Sequence, residues 1–105
     1  MTTAIDNQVR YKLGLDVGEY NLAYAIWTLQ AQDPEGWCRE TIEGLCRHLF
    51  MLNEGGEPKI QVCHTYLKTL KAEGLIEDNG RTARGKTYRV TDRWLAAHTK
   101  DEVAA

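Results

Sequence analysis

The sequence lacks any apolar run near the ~20 residues that a membrane-spanning helix needs, and only three of its 105 residues are cysteines. Its first six residues carry neither a basic stretch nor an apolar one, so we expect no secretion signal. The cysteines are odd in number and form no Cys-x-x-Cys pair, which disfavours a disulfide scaffold. We expect a cytoplasmic protein without a membrane segment, whose cysteines are small core residues in a reducing compartment.

A metal site would have to use four candidate ligands near the middle of the chain. Cys46 and His48 are separated by one residue, and Cys63 and His64 by none. Paired zinc ligands usually have about two to five residues between them, and neighbouring residues on a helix point in different directions. We therefore predict no metal and no cofactor.

The motifs of the common enzyme classes are also missing. The sequence has no Ser-His-Asp order, no phosphate-binding loop and no His-Glu-x-x-His helix. Gly14-x-x-x-Gly18 is not followed by Lys and Ser or Thr, and no clear strand precedes it. We predict a binding protein rather than an enzyme.

Three stretches with apolar residues at steps of three and four predict three helices. The first begins at a capping box formed by Asp16 and Glu19 and ends near residue 32. The second begins near Arg39 or Glu40, and the third covers about residues 58–73. The first is apolar almost all round, so we expect it to be buried on two sides.

The C-terminal part predicts a β-hairpin. Leu75-Ile76-Glu77 and residues 86–91 have the pattern of two short strands. Asn79-Gly80, between them, is a strong hairpin signal. A final helical turn or short helix is expected around Trp94.

The two ends of the chain show no clear periodicity. We expect residues 1–13 to form an N-terminal arm or a short extended segment, and residues 99–105 to form a flexible tail. Residues 1–98 are then one domain, mainly α-helical with a C-terminal β-hairpin.

This order of elements resembles the winged helix-turn-helix, a three-helix core followed by a hairpin wing. Leu67-x-x-Leu70-x-x-x-Gly74-Leu75-Ile76 resembles the end of the recognition helix and the start of the first wing strand. Residues 41–49 resemble the helix that enters the turn, and residues 86–90 resemble the second wing strand. The resemblance covers about residues 15–91 and implies DNA binding.

Two features depart from that family. The turn at Asn53–Glu57 is long and rich in glycine where the family has a tight turn. The third helix begins with Glu57-Pro58-Lys59 instead of a Ser or Thr cap. Both features affect the angle at which the third helix would meet DNA.

The predicted third helix has a polar face opposite its apolar stripe, and the predicted wing, residues 79–87, contains three cations and no acid. Such side chains contact phosphates and base edges. The candidate DNA-binding residues are Lys59, Gln61, His64, Thr65, Lys68, Arg81, Arg84 and Lys86. The alternative interpretation is a polar surface that meets only water.

The charge is unevenly distributed, although the total is only −2. Residues 1–58 hold four basic and nine acidic side chains, a net −5, whereas residues 59–93 hold eight and four, a net +4. The last twelve residues contribute −1. The positive block coincides with the predicted third helix and wing, as expected where one face binds nucleic acid.

We therefore predict a small transcriptional regulator of phage or prokaryotic type that binds specific sequences of double-stranded DNA as a homodimer. The candidate dimer surface is aromatic and consists of Tyr20, Tyr24, Trp27 and Trp94. The alternative is that these aromatics fill the core, an interpretation that fits Trp27 better than Tyr20.

Two further hypotheses remain open. Winged helices are reused as protein adaptors, so the acidic N-terminal half could engage a basic protein partner, as an adaptor or an inhibitor of phage or mobile-element origin. The chain could also be the DNA-binding domain of a replication-initiation protein.

Overall fold

The computed structural model describes residues 7–80 and 85–104. In these residues it has five helices and two strands: α1 (Asn7–Leu13), α2 (Val17–Gln30), α3 (Ile42–His48), α4 (Ile60–Ala72), β1 (Ile76–Asp78), β2 (Tyr88–Val90) and α5 (Asp92–Ala104). The prediction of a mainly α-helical chain with a C-terminal hairpin is confirmed. Among the described residues, no helix is both long and apolar enough to cross a membrane.

Helix α2 lies at the centre of the fold and packs against both α4 and β2. The predicted capping box begins it: Asp16 Oδ1 accepts from the Glu19 N–H (2.8 Å), and Glu19 Oε1 accepts from the Asp16 N–H (3.0 Å). The buried residues of α2 lie on more than one side of the helix. They are Tyr20, Leu22, Ala23, Ala25 and Ile26.

The predicted N-terminal arm is wrong for residues 7–13, which form α1. Val9 and Leu13, one helical turn apart, are buried in the core. Gly14 ends the helix with φ 72°, and the Leu15 N–H donates to the Arg10 carbonyl (3.1 Å) across that end. Two buried positions in seven residues are too few to show a period in the sequence. Residues 1–6 lie outside the described part of the chain.

The predicted C-terminal tail also differs, because α5 continues through residues 99–104. The expected helical turn around Trp94 is therefore the first half of a longer helix. Helix α5 begins directly after β2 and contacts both α1 and β2. The polar composition of residues 99–102 provides no apolar stripe from which this continuation could be predicted.

Helices α3 and α4 begin about two residues later than predicted. The Thr41 side chain caps α3 by accepting from the Gly44 N–H (2.9 Å). The first residue of α4 is Ile60, and its N-cap Lys59 makes no side-chain capping bond. The absence of a polar cap at this end agrees with the sequence.

The glycine-rich turn between α3 and α4 is folded compactly. An antiparallel bridge joins Leu52 to Pro58 across its base. Within the turn, Asn53 Oδ1 accepts from the backbone N–H groups of Gly55 (2.9 Å) and Glu57 (3.1 Å). These bonds fix the connection and hence the position at which α4 starts.

The two strands pair antiparallel, with Ile76 opposite Val90 and Asp78 opposite Tyr88. Cys38, in the segment between α2 and α3, bridges to the other edge of β2: its N–H donates to the Tyr88 carbonyl (2.7 Å), and its carbonyl accepts from the Tyr88 N–H (3.0 Å). The hairpin is thereby attached to the helical core, because Cys38 and Tyr88 are both buried.

The three cysteines are buried in the core, as predicted. Burial, with Cys46 as a neighbour, raises the pKa of the Cys63 thiol to about 12. Burial also raises the pKa of Cys38. Thiols that resist ionisation are poor nucleophiles, and Cys38 and Cys63 pack in the core.

The predicted dimer surface is wrong for Tyr20 and Trp94, which are fully buried within the chain. Their ring centroids are 5.2 Å apart, and Tyr24 and Trp27 pack around them partly exposed. The carbonyl of Trp94 can only accept, so in the neutral ring His98 Nδ1 donates to it (2.8 Å) and Nε2 accepts from the Tyr20 hydroxyl (2.9 Å). We call these five residues the aromatic cluster.

Candidate functional site

Helix α4 has one buried stripe and a broad exposed face. Cys63, Leu67 and Leu70 are buried against the core. At 3.6 residues per turn, Gln61, Thr65 and Lys68 lie roughly opposite that stripe. The structure places every predicted residue of this segment on the exposed side: Lys59, Gln61, His64, Thr65 and Lys68.

A surface groove runs between α4 and β2. It consists of two adjoining clefts of about 330 and 320 Å³ that share His64, Lys86 and Tyr88. The first cleft extends toward the start of α3 and is also lined by Arg39, Glu40, Thr41, Ile42 and Gly85. The second extends along α4 and is also lined by Leu67, Lys68 and Lys71. We call the two together the α4–β2 groove.

The lining of the groove is strongly cationic. Among the residues that the structure describes, four lysine or arginine side chains and one histidine line it, against a single acid, Glu40; the basic residues are Arg39, His64, Lys68, Lys71 and Lys86. Lysines and arginines at neighbouring positions along one groove favour an extended polyanion over a single small anion.

Asp78 offsets part of this charge. Its Oδ2 lies 2.5 Å from Lys71 Nζ and 3.9 Å from Lys86 Nζ, and its Oδ1 accepts from the Gly80 N–H (2.8 Å). The hydrogen bond from Lys71 lowers the pKa of Asp78 below its usual value. The carboxylate therefore stays ionised at neutral pH between the two lysines.

Arg39 is likewise held by acids outside the groove. Its guanidinium lies 2.7 Å from Asp33 and 2.5 Å from Glu35, and its hydrogen bond lowers the pKa of Asp33. The side chains of His64 and Lys68, in contrast, make no hydrogen bond or ion pair to any residue that the structure describes. These two side chains are the most available to a ligand.

Sequence reasoning found part of this site. It identified His64, Lys68 and Lys86, which meet in the groove, whereas Arg81 and Arg84 lie outside the described residues. Lys59, Gln61 and Thr65 are exposed but do not line either cleft.

Three residues of the site were missed. Lys71 comes three positions after Lys68, and residues three apart are neighbours on a helix surface. That spacing could have predicted Lys71 as a residue of the site. Arg39 and Asp78 come to the site from other elements, so no local pattern indicated them.

Two of the candidate metal ligands, Cys46 and Cys63, are neighbours in the core. Cys46 and Cys63 are buried, while His48 and His64 are exposed. Residues 7–80 and 85–104 contain no group of three or more His, Cys, Asp or Glu side chains that could hold a metal ion.

Comparison with protein-family models, with curated proteins and with solved structures finds no match to this chain. The function must therefore be inferred from the geometry and charge of the site itself.

Proposed function

We propose that the protein binds double-stranded DNA in the manner of a winged helix-turn-helix, with α4 as the recognition helix and the hairpin as the wing. The observation that carries the proposal is the α4–β2 groove, where Lys68 and Lys71 of α4 converge with Lys86, which precedes β2, and Arg39, which precedes α3, beside the exposed polar face of α4. A role in transcriptional regulation is part of the proposal.

The dimensions of the elements suit this role. An α-helix with its side chains is about 10–12 Å wide, which matches the ~12 Å major groove of B-DNA. With α4 in that groove, Gln61 can meet an adenine edge, because its amide offers both a donor and an acceptor. Lys68, Lys71 and Lys86 can then meet the phosphates of the adjoining strand.

The unequal charge of the chain would orient it on DNA. The segment 59–93 has a net +4 and contains α4 and both strands, whereas the segment 1–58 has a net −5. A polyanion attracts the first segment and repels the second, so approach through the groove is favoured at low ionic strength. Arg81 and Arg84 of the wing are proposed as further contacts to the backbone or the minor groove.

The homodimer needs a different surface from the one predicted. Tyr20 and Trp94 are buried within one chain. Among the residues whose burial the structure describes, the large apolar side chains that stay exposed are Tyr11, Val17, Phe50, Ile60 and Val62. Binding through the groove does not require two copies, and sedimentation with and without duplex would give the stoichiometry.

The proposal is tested by titrating random-sequence duplex at several salt concentrations. Lys68→Ala should weaken binding to every sequence and reduce the slope of log affinity against log salt by about one. Lys12→Ala on α1 removes the same charge away from the groove and should change neither quantity. Gln61→Ala should relax base preference while leaving the slope unchanged.

The wild-type protein decides between the hypotheses. If it fails to bind any duplex at low salt, DNA binding is wrong, and the adaptor hypothesis is favoured. Equal effects of Lys68→Ala and Lys12→Ala would show binding through general charge, without the groove.

A further inference from the structure

Thr65, on the exposed face of α4, uses its hydroxyl group within the helix. Its Oγ1 donates to the carbonyl of Gln61, one turn earlier, at 3.0 Å. The hydroxyl proton is therefore committed to the helix backbone. The hydroxyl oxygen can still accept a hydrogen bond, and the γ-methyl group is the apolar part of this exposed side chain that a ligand can contact.

Val62 is also exposed and comes three residues before Thr65 on α4. Residues three apart are neighbours on a helix surface, with Cβ atoms about 5–6 Å apart. Val62 is 37% exposed, because Cys63 and Leu67, on another side of α4, are the residues that pack into the core. Val62 and Thr65 thus form a small apolar spot beside Gln61, within an otherwise polar and cationic face.

The major groove of DNA has one apolar group that such a spot can recognise. Among the four unmodified bases, only thymine places a methyl group there, at C5. Its partner adenine presents the donor and acceptor that the Gln61 amide can meet. We infer that Val62 and the Thr65 methyl group contact thymine methyl groups, so that α4 selects A·T base pairs. This inference rests on the proposed function.

The test compares two hairpin duplexes of alternating A and T that differ only in whether deoxyuridine replaces thymidine. The replacement removes the 5-methyl group and keeps the hydrogen-bonding groups of the base. By fluorescence anisotropy, wild-type protein should bind the uracil duplex more weakly, by roughly threefold to fourfold for each thymine methyl group that it would otherwise bury. Both duplexes have the same number of phosphates, so the salt slopes should agree.

Two variants of Thr65 separate the methyl group from the hydroxyl group. Thr65→Val keeps a methyl group and removes the hydroxyl, so it should retain the discrimination between the two duplexes. Thr65→Ser keeps the hydroxyl and removes the methyl, so it should abolish much of that discrimination, as should Val62→Ala. Both positions are on the surface, and thermal melting would confirm that each variant folds.

The outcomes distinguish this inference from the proposed function. Failure of both duplexes to bind at low salt would contradict the proposed function. Equal binding of both duplexes would contradict only the thymine contact. Discrimination that survives in Thr65→Ser and disappears in Thr65→Val would assign the contact to the hydroxyl group, and the inference would be wrong.

Discussion

Helical spacing in the sequence predicts both the aromatic residues of α2 and the polar face of α4, but the folded chain covers the first and leaves the second exposed. Tyr20 and Trp94 are fully buried, whereas Gln61 and Lys68 on α4 are exposed. The periodicity of a helix shows which residues share a face. Whether that face is covered depends on other elements, and α2 is covered by a helix more than 60 residues away in the chain.

The largest expected effect is the loss of stability caused by Trp94→Ala in the aromatic cluster. Trp94 is fully buried and packs on Tyr20, Trp27 and His98, with ring centroids 5.2, 5.9 and 4.3 Å away. Removing it leaves a cavity, and we expect the free energy of unfolding to fall by about 3–5 kcal/mol. Urea unfolding followed by circular dichroism would measure the decrease.

The matched control for Trp94→Ala is Gln61→Ala on α4. An exposed residue of this kind should change stability by no more than about 0.5 kcal/mol. If Trp94→Ala and Gln61→Ala were equally stable, the aromatic cluster would be part of the surface. The prediction that its residues form a dimer interface would then be supported.

Local signals in the sequence were sufficient for several elements. The Asp16–Glu19 capping box predicts the start of α2, because its two hydrogen bonds are made within four residues. The short apolar patterns before and after Asn79-Gly80 predict the two strands, but nine residues, 79–87, separate these strands, whereas Asn-Gly is typical of a two-residue turn. The apolar spacing of α4 predicts its exposed face. Each of these features depends on residues close together in the chain.

Features that depend on tertiary packing could not be predicted in this way. Helix α5 lies over α2, and this placement buries Tyr20 fully but leaves Trp27 half-buried. The sequence alone favours the opposite, with Trp27 more deeply buried than Tyr20. The charge of the α4–β2 groove likewise depends on Arg39, which lines it, and on Asp78, which pairs with Lys71; both come from outside α4.

Gly18 of α2 lies close to Tyr66 of α4. This pair therefore links the helix that carries part of the aromatic cluster to the helix that carries the exposed polar face. A Cβ atom at Gly18 would lie 2.6 Å from the Tyr66 hydroxyl oxygen. In a helix interior alanine is intrinsically better than glycine by about 1 kcal/mol, and in the first turn of α2, where Gly18 lies, we expect a smaller gain of the same sign. We expect Gly18→Ala to gain that stability in a Tyr66→Ala background but to lose it in the wild type, where the ring must move.

A double-mutant cycle measured by thermal unfolding would give this coupling, which we expect to be about 1–2 kcal/mol. Additive effects of the two substitutions would show that α2 and α4 do not meet at this point. A coupling of the expected size would show that the position of α4 depends on the same helix that supports the aromatic cluster.

The smallest expected effect concerns the charge of the α4–β2 groove. Removing a negative charge beside it should strengthen binding to duplex DNA. Asp78→Asn removes the carboxylate that holds Lys71 and comes within 3.9 Å of Lys86, while the amide oxygen can still accept from the Gly80 N–H. That carboxylate then no longer competes with phosphate for the two lysines. We expect about threefold to tenfold tighter binding to random duplex at low salt, with a steeper salt slope.

Glu77→Gln is the control, since Glu77 precedes Asp78 in β1 and neighbouring strand residues point to opposite faces. Glu77 pairs with Arg89 (2.5 Å) and does not line the groove. Both variants change the net charge by one, but only Asp78→Asn changes it between the groove lysines, well within the ~10 Å Debye length at 0.1 M salt. Equal gains would mean that total charge drives binding. Weaker binding by Asp78→Asn would mean that Asp78 orients the lysines for phosphate rather than competing with it.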